Sequence, residues 1–205
     1  MNIGVLVSGH GTNLQALLDA EARGELAPAT IAVIVSSRPD VRALDRATAA
    51  GKPSLAVDHR QFPDRESFES QLLAVLDAHR VEAIVLAGFM RVLTASFVAR
   101  FPLRIINTHP SLLPAFPGAD AAAQAIAYGV KVTGATLHFV DASLDGGPII
   151  AQAAVPIVPA DDAATLQARI QVEEHRLLPQ AVQRLAAGQL SCQGRTVKLM
   201  GGCAE

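Results

Sequence analysis

Short apolar runs alternate along this chain with longer stretches of helical periodicity, and that alternation leaves few architectures open. Ile3-Gly4-Val5-Leu6-Val7, residues 31–35, Leu55-Ala56-Val57, residues 83–87 and Ile105-Ile106 read as strands. Leu14, Leu17 and Leu18 between them share one helical face. Asp40 is predicted to cap a helix carrying Val41 and Leu44, closed by Gly51 and Pro53. Phe68, Leu72, Val75 and Leu76 follow the i, i+4, i+7, i+8 rule of an amphipathic helix. Residues 83–87 are wholly apolar, which places them in the middle of a sheet with both faces covered. Further on, residues 134–140 and 149–158 are strand-like, and Asp145-Gly146-Gly147-Pro148 turns the chain between them. An antiparallel hairpin thus joins a parallel set. The fold class is α/β, a mostly parallel mixed sheet flanked by helices. Asp161 or Asp162 caps a long helix reaching about Ala187, with Leu166, Ile170, Leu177, Leu178, Ala181, Val182 and Leu185 as its buried stripe. Pro179 is expected to kink that helix and Gly188 to end it. Residues 189–205 read as a tail without core pattern beyond 196–200, mobile at its end.

At 205 residues the chain is expected to be one domain, or one sheet with two lobes. Half the residues are hydrophobic and only 4% aromatic, so the core must be built from Ala, Val, Leu and Ile. A formal net charge of −2 argues against a general nucleic-acid surface, which requires a basic patch. It leaves room for an anionic small substrate, because backbone amides at a helix start bind phosphate without net charge. Cys192 and Cys203 are too few and too peripheral for a disulfide framework, and no Cys/His spacing suggests zinc. No basic segment precedes the apolar residues 3–7, and no apolar run reaches the length of a membrane span. These features predict a soluble, cytoplasmic protein.

Asn107-Thr108-His109-Pro110-Ser111-Leu112-Leu113-Pro114 offers an amide and an imidazole at a strand end, and Leu144-Asp145-Gly146-Gly147 offers a carboxylate in a turn. His109 can move a proton near neutral pH, Asp145 can hold it charged and oriented, and Asn107 can donate to a developing oxyanion. Asn-x-His alone also fits an ordinary turn; its coupling to the Asp-Gly-Gly turn raises the signal. Gly9-His10-Gly11-Thr12-Asn13 after the first strand reads as an anion cradle, or as a plain strand-to-helix turn capped by Thr12. With Leu at position 14 it is neither a dinucleotide fingerprint nor an NTPase loop, and it suits a monoester phosphate. Gln171 and Glu174, three apart on one helix, could reach a common ligand or form a solvated face. His138 alternates with Leu137 and Phe139 and fits a satisfied core or edge histidine. Ser111 and Ser143 lack the Gly-x-Ser-x-Gly elbow of a serine hydrolase.

Ser-Gly-x-Gly-Thr-Asn-Leu at 8–14, Ala-Gly-Phe-Met-Arg-Val-Leu at 87–93 and Asn-Thr-His-Pro-Ser-Leu-Leu-Pro at 107–114 resemble the folate-dependent formyltransferases. Gly-Ala-Thr-Leu-His-Phe-Val at 134–140 and Leu-Asp-Gly-Gly-Pro-Ile-Ile at 144–150 extend the resemblance. The first segment, the short length and Gln171-Val172-Glu173-Glu174-His175 are similar to the branch that formylates phosphoribosylglycinamide in purine synthesis. The resemblance implies a formyltransferase fold with a seven-stranded Rossmann-like mixed sheet in one domain over 1–188. Residues 1–107 would be the phosphate-binding half and 108–188 the folate and catalytic half, with 189–205 as the tail. It implies that Gly11, Thr12 and Asn13 hold the substrate phosphate, with Gln171 and Glu174 on the ribose. Arg65, Met90, Arg91, Val92, Leu93 and Asn107 would meet N10-formyltetrahydrofolate as co-substrate. The pterin would also meet backbone between Val140 and Asp145. Asn107, His109 and Asp145 would be catalytic, with no metal. The expected assembly is a monomer or homodimer without nucleic-acid or membrane partners. One departure stands out: after Pro117-Gly118 the family usually has a histidine, whereas this loop reads Ala119-Asp120-Ala121-Ala122-Ala123-Gln124.

Three other functions stay open at this level. Methionyl-tRNA formyltransferases normally carry a further C-terminal domain, and formyltetrahydrofolate deformylases an extra N-terminal one. A chain of 205 residues is expected to hold neither. A nucleotide-binding module that had lost its chemistry would not need the Asn107, His109 and Asp145 trio.

Overall fold

The strand β1 (Asn2–Val7) sends Ile3, Val5 and Val7 to one face of the sheet and Leu6 to the other, and both faces are buried. Two-sided burial explains why the run is apolar throughout instead of alternating with polar residues. At Gly4 a Cβ would come within 2.7 Å of Leu76, so a helix packs directly onto strand backbone there. The first half continues through α1 (Thr12–Ala22), β2 (Thr30–Ser36), α2 (Arg42–Ala49), β3 (Ser54–Ala56), α3 (Arg65–Ala78) and β4 (Ala83–Leu86). In this computed structural model, which describes residues 1–200, β2 and β3 lie on one side of β1 and β4 on the other, all parallel. The chain therefore reverses its direction of travel across the sheet between β1 and β4. Open α/β sheets take their ligands at the carboxyl ends of the strands flanking such a reversal.

β5 (Ile105–His109) extends the parallel set beside β4, β6 (Val132–Phe139) pairs antiparallel with β5, and β7 (Ile149–Pro156) antiparallel with β6. The mixed sheet expected from the sequence is present. Its faces are covered differently. Leu14, Leu17 and Leu18 of α1 meet Leu178, Ala181 and Val182 of α6 (Ala163–Ala186) over Val5, Val85 and Leu137. On the opposite face Phe68, Leu72 and Leu76 of α3 and Phe97 of α4 (Ala95–Ala99) pack on Leu6, Ile84 and Ile105. Truncating one such leucine to alanine costs about 2–5 kcal/mol. Asp162 starts α6 with a reciprocal cap: its carboxylate accepts from the Thr165 amide, and the Thr165 hydroxyl accepts from the Asp162 amide. The helix runs on through Pro179.

Several elements differ from the sequence expectations. Asp40 has a left-handed backbone (φ 53) and does not cap α2, whose N-cap is Val41 without a side-chain bond. The short α4 and the alanine-rich α5 (Ala121–Tyr128) carry too little periodicity to be read. Among the described residues the sheet also has nine strands where seven were expected: with β8 at Leu190–Gln193 and β9 at Thr196–Leu199, the order is β3-β2-β1-β4-β5-β6-β7-β9-β8. The extra pair is a hairpin of β8 and β9, joined to β7 by the Ile149–Thr196 bridge. Expected mobility at the end of the tail concerns residues 201–205, outside the described residues. Among the described residues no helix is long and apolar enough to cross a membrane.

Candidate active site

The loop leaving β1 meets α1 at Gly11, the N-cap residue, in a left-handed conformation (φ 72, ψ 34). No side chain caps this helix, so Thr12 is not the cap that a plain turn would use, and no acidic residue sits in its first turn. The first-turn amides are thus presented without a side-chain acceptor or a competing carboxylate, as an anion site requires. The two glycines of the loop have different reasons to be glycine. A Cβ at Gly11 would lie 2.7 Å from the Cβ of Ala43, so this position lets α2 dock as well as making the turn. A Cβ at Gly9 would meet nothing within 4 Å.

Asn13, the second residue of α1, points inward. Its Nδ2 donates to Glu174 Oε2 at 3.1 Å and to Thr108 Oγ1 at 3.2 Å, tying α1, α6 and β5 together. Glu174 is only 3% exposed, and burial pushes its carboxyl above the ordinary value despite its bonds to Asn13 and Thr108. A solvated helix face is therefore excluded for Glu174, while Gln171, a turn earlier, is half-buried. Beside the cradle a cleft of about 390 Å³ is lined by Thr12, Gln15, Asp19, Arg46 and His175 among others. Arg46, which sequence reasoning missed, is fixed there by donating from Nε to His10 O (2.9 Å) and from its terminal nitrogen to Gln15 Oε1 (3.0 Å).

The polar corner lies on the other face of β5. Strand alternation turns Thr108 toward Glu174 and sets Asn107 and His109 on the opposite side. His109 is 4% exposed; its Nδ1 lies 3.4 Å from Asp145 Oδ2 and its Nε2 is 2.8 Å from the Phe116 carbonyl. Asp145, itself left-handed (φ 50), accepts from the Gly118 amide at 2.7 Å through the same Oδ2. Gly147 is required beside it, because a Cβ would fall 1.8 Å from Phe139 O. The Gly146 carbonyl of this turn accepts from Arg195 at 2.8 Å, so the tail hairpin braces the Asp145 turn. Asn107 Nδ2 is 3.1 Å from Nε2 of His138, its register partner on the neighbouring antiparallel strand β6. His138 thus joins Asn107 and Asp145, from which its Nε2 is 3.9 Å, in one cluster. Strand alternation alone could show only that His138 is buried. The segment where a loop histidine was looked for forms the start of α5, with Ala121 and Ala122 packed inside.

A second cleft, of about 340 Å³, is lined by Phe62, Arg65, Phe68, Met90, Arg91 and Val92 with two polar neighbours. Met90 is 71% exposed, an apolar side chain left in the open beside two arginines. Four of the residues expected to meet folate therefore share one cleft, whereas Leu93 turns into the core under α3. The loop is anchored from below. The Met90 amide donates to Ser8 Oγ at 2.9 Å, and the buried Glu69 accepts from the Thr94 amide at 2.7 Å and from the Thr94 hydroxyl. Among the described residues no cluster of three or more His, Cys, Asp or Glu could hold a metal ion.

Cradle, polar corner and open apolar cleft line the carboxyl edge of one α/β sheet, and the formyl transferase family model matches residues 1–182. The chain belongs to that family. It is 46% identical to a phosphoribosylglycinamide formyltransferase of Mycobacterium tuberculosis, over 95% of this chain and 89% of that protein. It is 48% identical to the trifunctional purine biosynthetic protein adenosine-3 of Drosophila melanogaster over 91% of this chain, which spans only 14% of that longer protein. The crystal structure of glycinamide ribonucleotide transformylase 1 from Symbiobacterium toebii superposes with a TM-score of 0.95 at 47% identity, covering 98% of this chain and 94% of that one.

Proposed function

We propose that this chain transfers a formyl group from N10-formyltetrahydrofolate to the primary amine of phosphoribosylglycinamide, a step of purine biosynthesis, and releases tetrahydrofolate. The observation that carries this reading is the convergence of Asn107, His109 and Asp145 on one buried corner in a member of the formyl transferase family. The phosphate of the acceptor is taken by the amides of Gly11, Thr12 and Asn13 at the positive end of the α1 dipole, which suits a chain with net charge −2. Gln171 and Glu174 take the ribose. Arg65, Met90, Arg91 and Val92 offer the folate an apolar surface and two cations, with the Asn107 amide completing the contact, while the buried Leu93 supports the loop from the core. The phosphate cradle thus lies in residues 1–107 and His109 and Asp145 in 108–188, whereas the folate cleft and Asn107 come from the first half and the ribose contacts from the second, without a metal, in a cytoplasmic monomer or homodimer.

Amine nitrogen bonds to the formyl carbon, the formyl oxygen gains negative charge, and the carbon–N10 bond then breaks as the amine proton passes to N10. Asn107 donates an N–H to that oxygen, and His109 donates beside it under the charge of Asp145. Preorganised donors of this type contribute about 3–4 kcal/mol each to transition-state stabilisation. The Phe116 carbonyl holds the His109 Nε2–H at 2.8 Å, so a donor role for that N–H requires the loop after β5 to yield the contact. Such contacts commonly rearrange in the reactive complex. The test is absorbance detection of tetrahydrofolate release with phosphoribosylglycinamide, methionyl-tRNA and water offered as separate acceptors. Release dependent on phosphoribosylglycinamide is expected; release with either other acceptor and not with this one overturns the reading.

A further inference from the structure

His138 is 2% exposed on β6, where the pairing with β7 shifts register between Leu137 and His138. Irregularities of this kind re-aim a side chain beside a site. Its Nδ1 lies 2.9 Å from the Phe139 carbonyl, and since a carbonyl only accepts, Nδ1 carries the hydrogen. Burial is the largest influence on the ring and pushes its pKa below the ordinary 6.5; His109 acts in the same direction. The Phe139 carbonyl, Asp145 and Asp141 act the other way, each with a smaller effect than burial. The neutral ring with a hydrogen on Nδ1 has a bare lone pair on Nε2. Only a donor suits a position 3.1 Å from it, so the end of the Asn107 amide facing His138 is the NH2 and not the oxygen.

We infer that His138 is a positioning residue: its bare Nε2 dictates which end of the Asn107 amide faces inward, and so where the second N–H of that amide stands. This rests on the proposal that Asn107 donates to the formyl oxygen. With one N–H bound to His138, the other is left for an acceptor outside the pair, in a fixed plane. Protonation of His138 sets N–H against N–H. The amide then turns, its oxygen meets Nε2, and the donor moves to the opposite end of the group. The same ring therefore supports the productive orientation when neutral and reverses it when charged.

The test begins with 15N–1H correlation of the His138 ring in the full chain without substrate. The expected spectrum shows hydrogen on Nδ1 and a bare Nε2 at neutral pH, with protonation only below pH 6.5. A hydrogen on Nε2 overturns the inference whatever the substrate proves to be, which separates its failure from that of the proposed function. His138→Leu should lower kcat about 10- to 100-fold, up to the loss from removing the Asn107 donor itself, with KM for both substrates within about twofold. His138→Gln, whose amide oxygen accepts and does not titrate, should restore most of the rate and lack the acid loss due to His138. In an Asn107→Ala background, His138→Leu should cost nothing more. Equal defects in His138→Leu and His138→Gln, or a His138→Leu loss that persists without the Asn107 amide, would overturn it. Should His138→Leu fail to fold, the ring spectrum and the pH profile of His138→Gln decide.

Discussion

The loop after β1 and the corner between β5 and β6 lie on one edge of one sheet, yet they are made of different material. The cradle at Gly9–Gly11 and the start of α1 offers backbone amides with no side-chain cap. The corner offers side chains, each held by another: His109 by Phe116 and Asp145, Asp145 by Gly118, Asn107 by His138. A phosphate carries the same charge before and after the reaction, so fixed dipoles serve it throughout. In the proposed reaction the formyl oxygen changes charge, so groups that face it would have to be placed for the transition state in particular. The difference teaches where each kinetic constant should be sensitive: substrate affinity in the cradle, turnover in the corner.

The largest effect should come from the corner. Asn107→Ala and His109→Ala are each expected to lower kcat by about 10²–10³ with little change in KM, read from steady-state tetrahydrofolate release. Asp145→Asn keeps an oxygen for the Gly118 amide and removes the charge 3.4 Å from His109. Its kcat should fall about 10- to 100-fold, less than the loss of the imidazole itself, with the KM values again preserved.

Cradle variants should move the other constant and also separate the two glycines. Gly11→Ala forces a Cβ to 2.7 Å from Ala43 at φ 72, so it should lose about 1–3 kcal/mol of stability together with acceptor affinity. Gly9→Ala has open space around its new methyl and should keep the parent melting temperature. If the phosphate approaches there, acceptor affinity measured by calorimetry should still drop about tenfold, while a folate analogue binds as before. Equal melting temperatures for the two variants would show that the α2 contact does not constrain Gly11.

The smallest effect tests the link between the two regions, the bonds of Asn13 to Glu174 and Thr108. Burial raises the Glu174 pKa in the folded protein, so the native state holds that proton more tightly than the unfolded chain does. This stabilises the fold at low pH, and the contribution is lost as pH rises from 4.5 through the raised value. Glu174→Gln should abolish that decline, as seen in urea unfolding at several pH values. A parallel pH dependence in the two proteins would place the proton elsewhere.

How much of this was legible in the sequence differs between the two regions as well. The strands β1 and β4, which lead into the cradle and the Met90 loop, were readable because two-sided burial makes them unbroken apolar runs. Asn107, His109 and Asp145 could be singled out by residue type and turn context, and they do meet in one corner. Contacts between distant segments were not. The closeness of Gly11 to Ala43, the anchoring of Met90 by Ser8, and the Arg46 bonds to His10 and Gln15 depend on how helices dock, which no local pattern encodes. α5 escaped because Ala121, Ala122 and Ala125 bury too little surface to create a hydrophobic stripe. The tail hairpin escaped because a single bridge ties it to β7. His138 was visible as a residue and invisible as a partner of Asn107, since that needs the register of β5 against β6.

The most direct test of the division between corner and cradle is a paired determination of kcat and of KM for phosphoribosylglycinamide in Asn107→Ala and Gly9→Ala. The two effects should cross. Asn107→Ala should lose about 10²–10³ in kcat with KM within about threefold, and Gly9→Ala should raise KM with kcat within about threefold. A rise in KM with unchanged kcat for Asn107→Ala, or the same constant moving in both variants, would contradict the account.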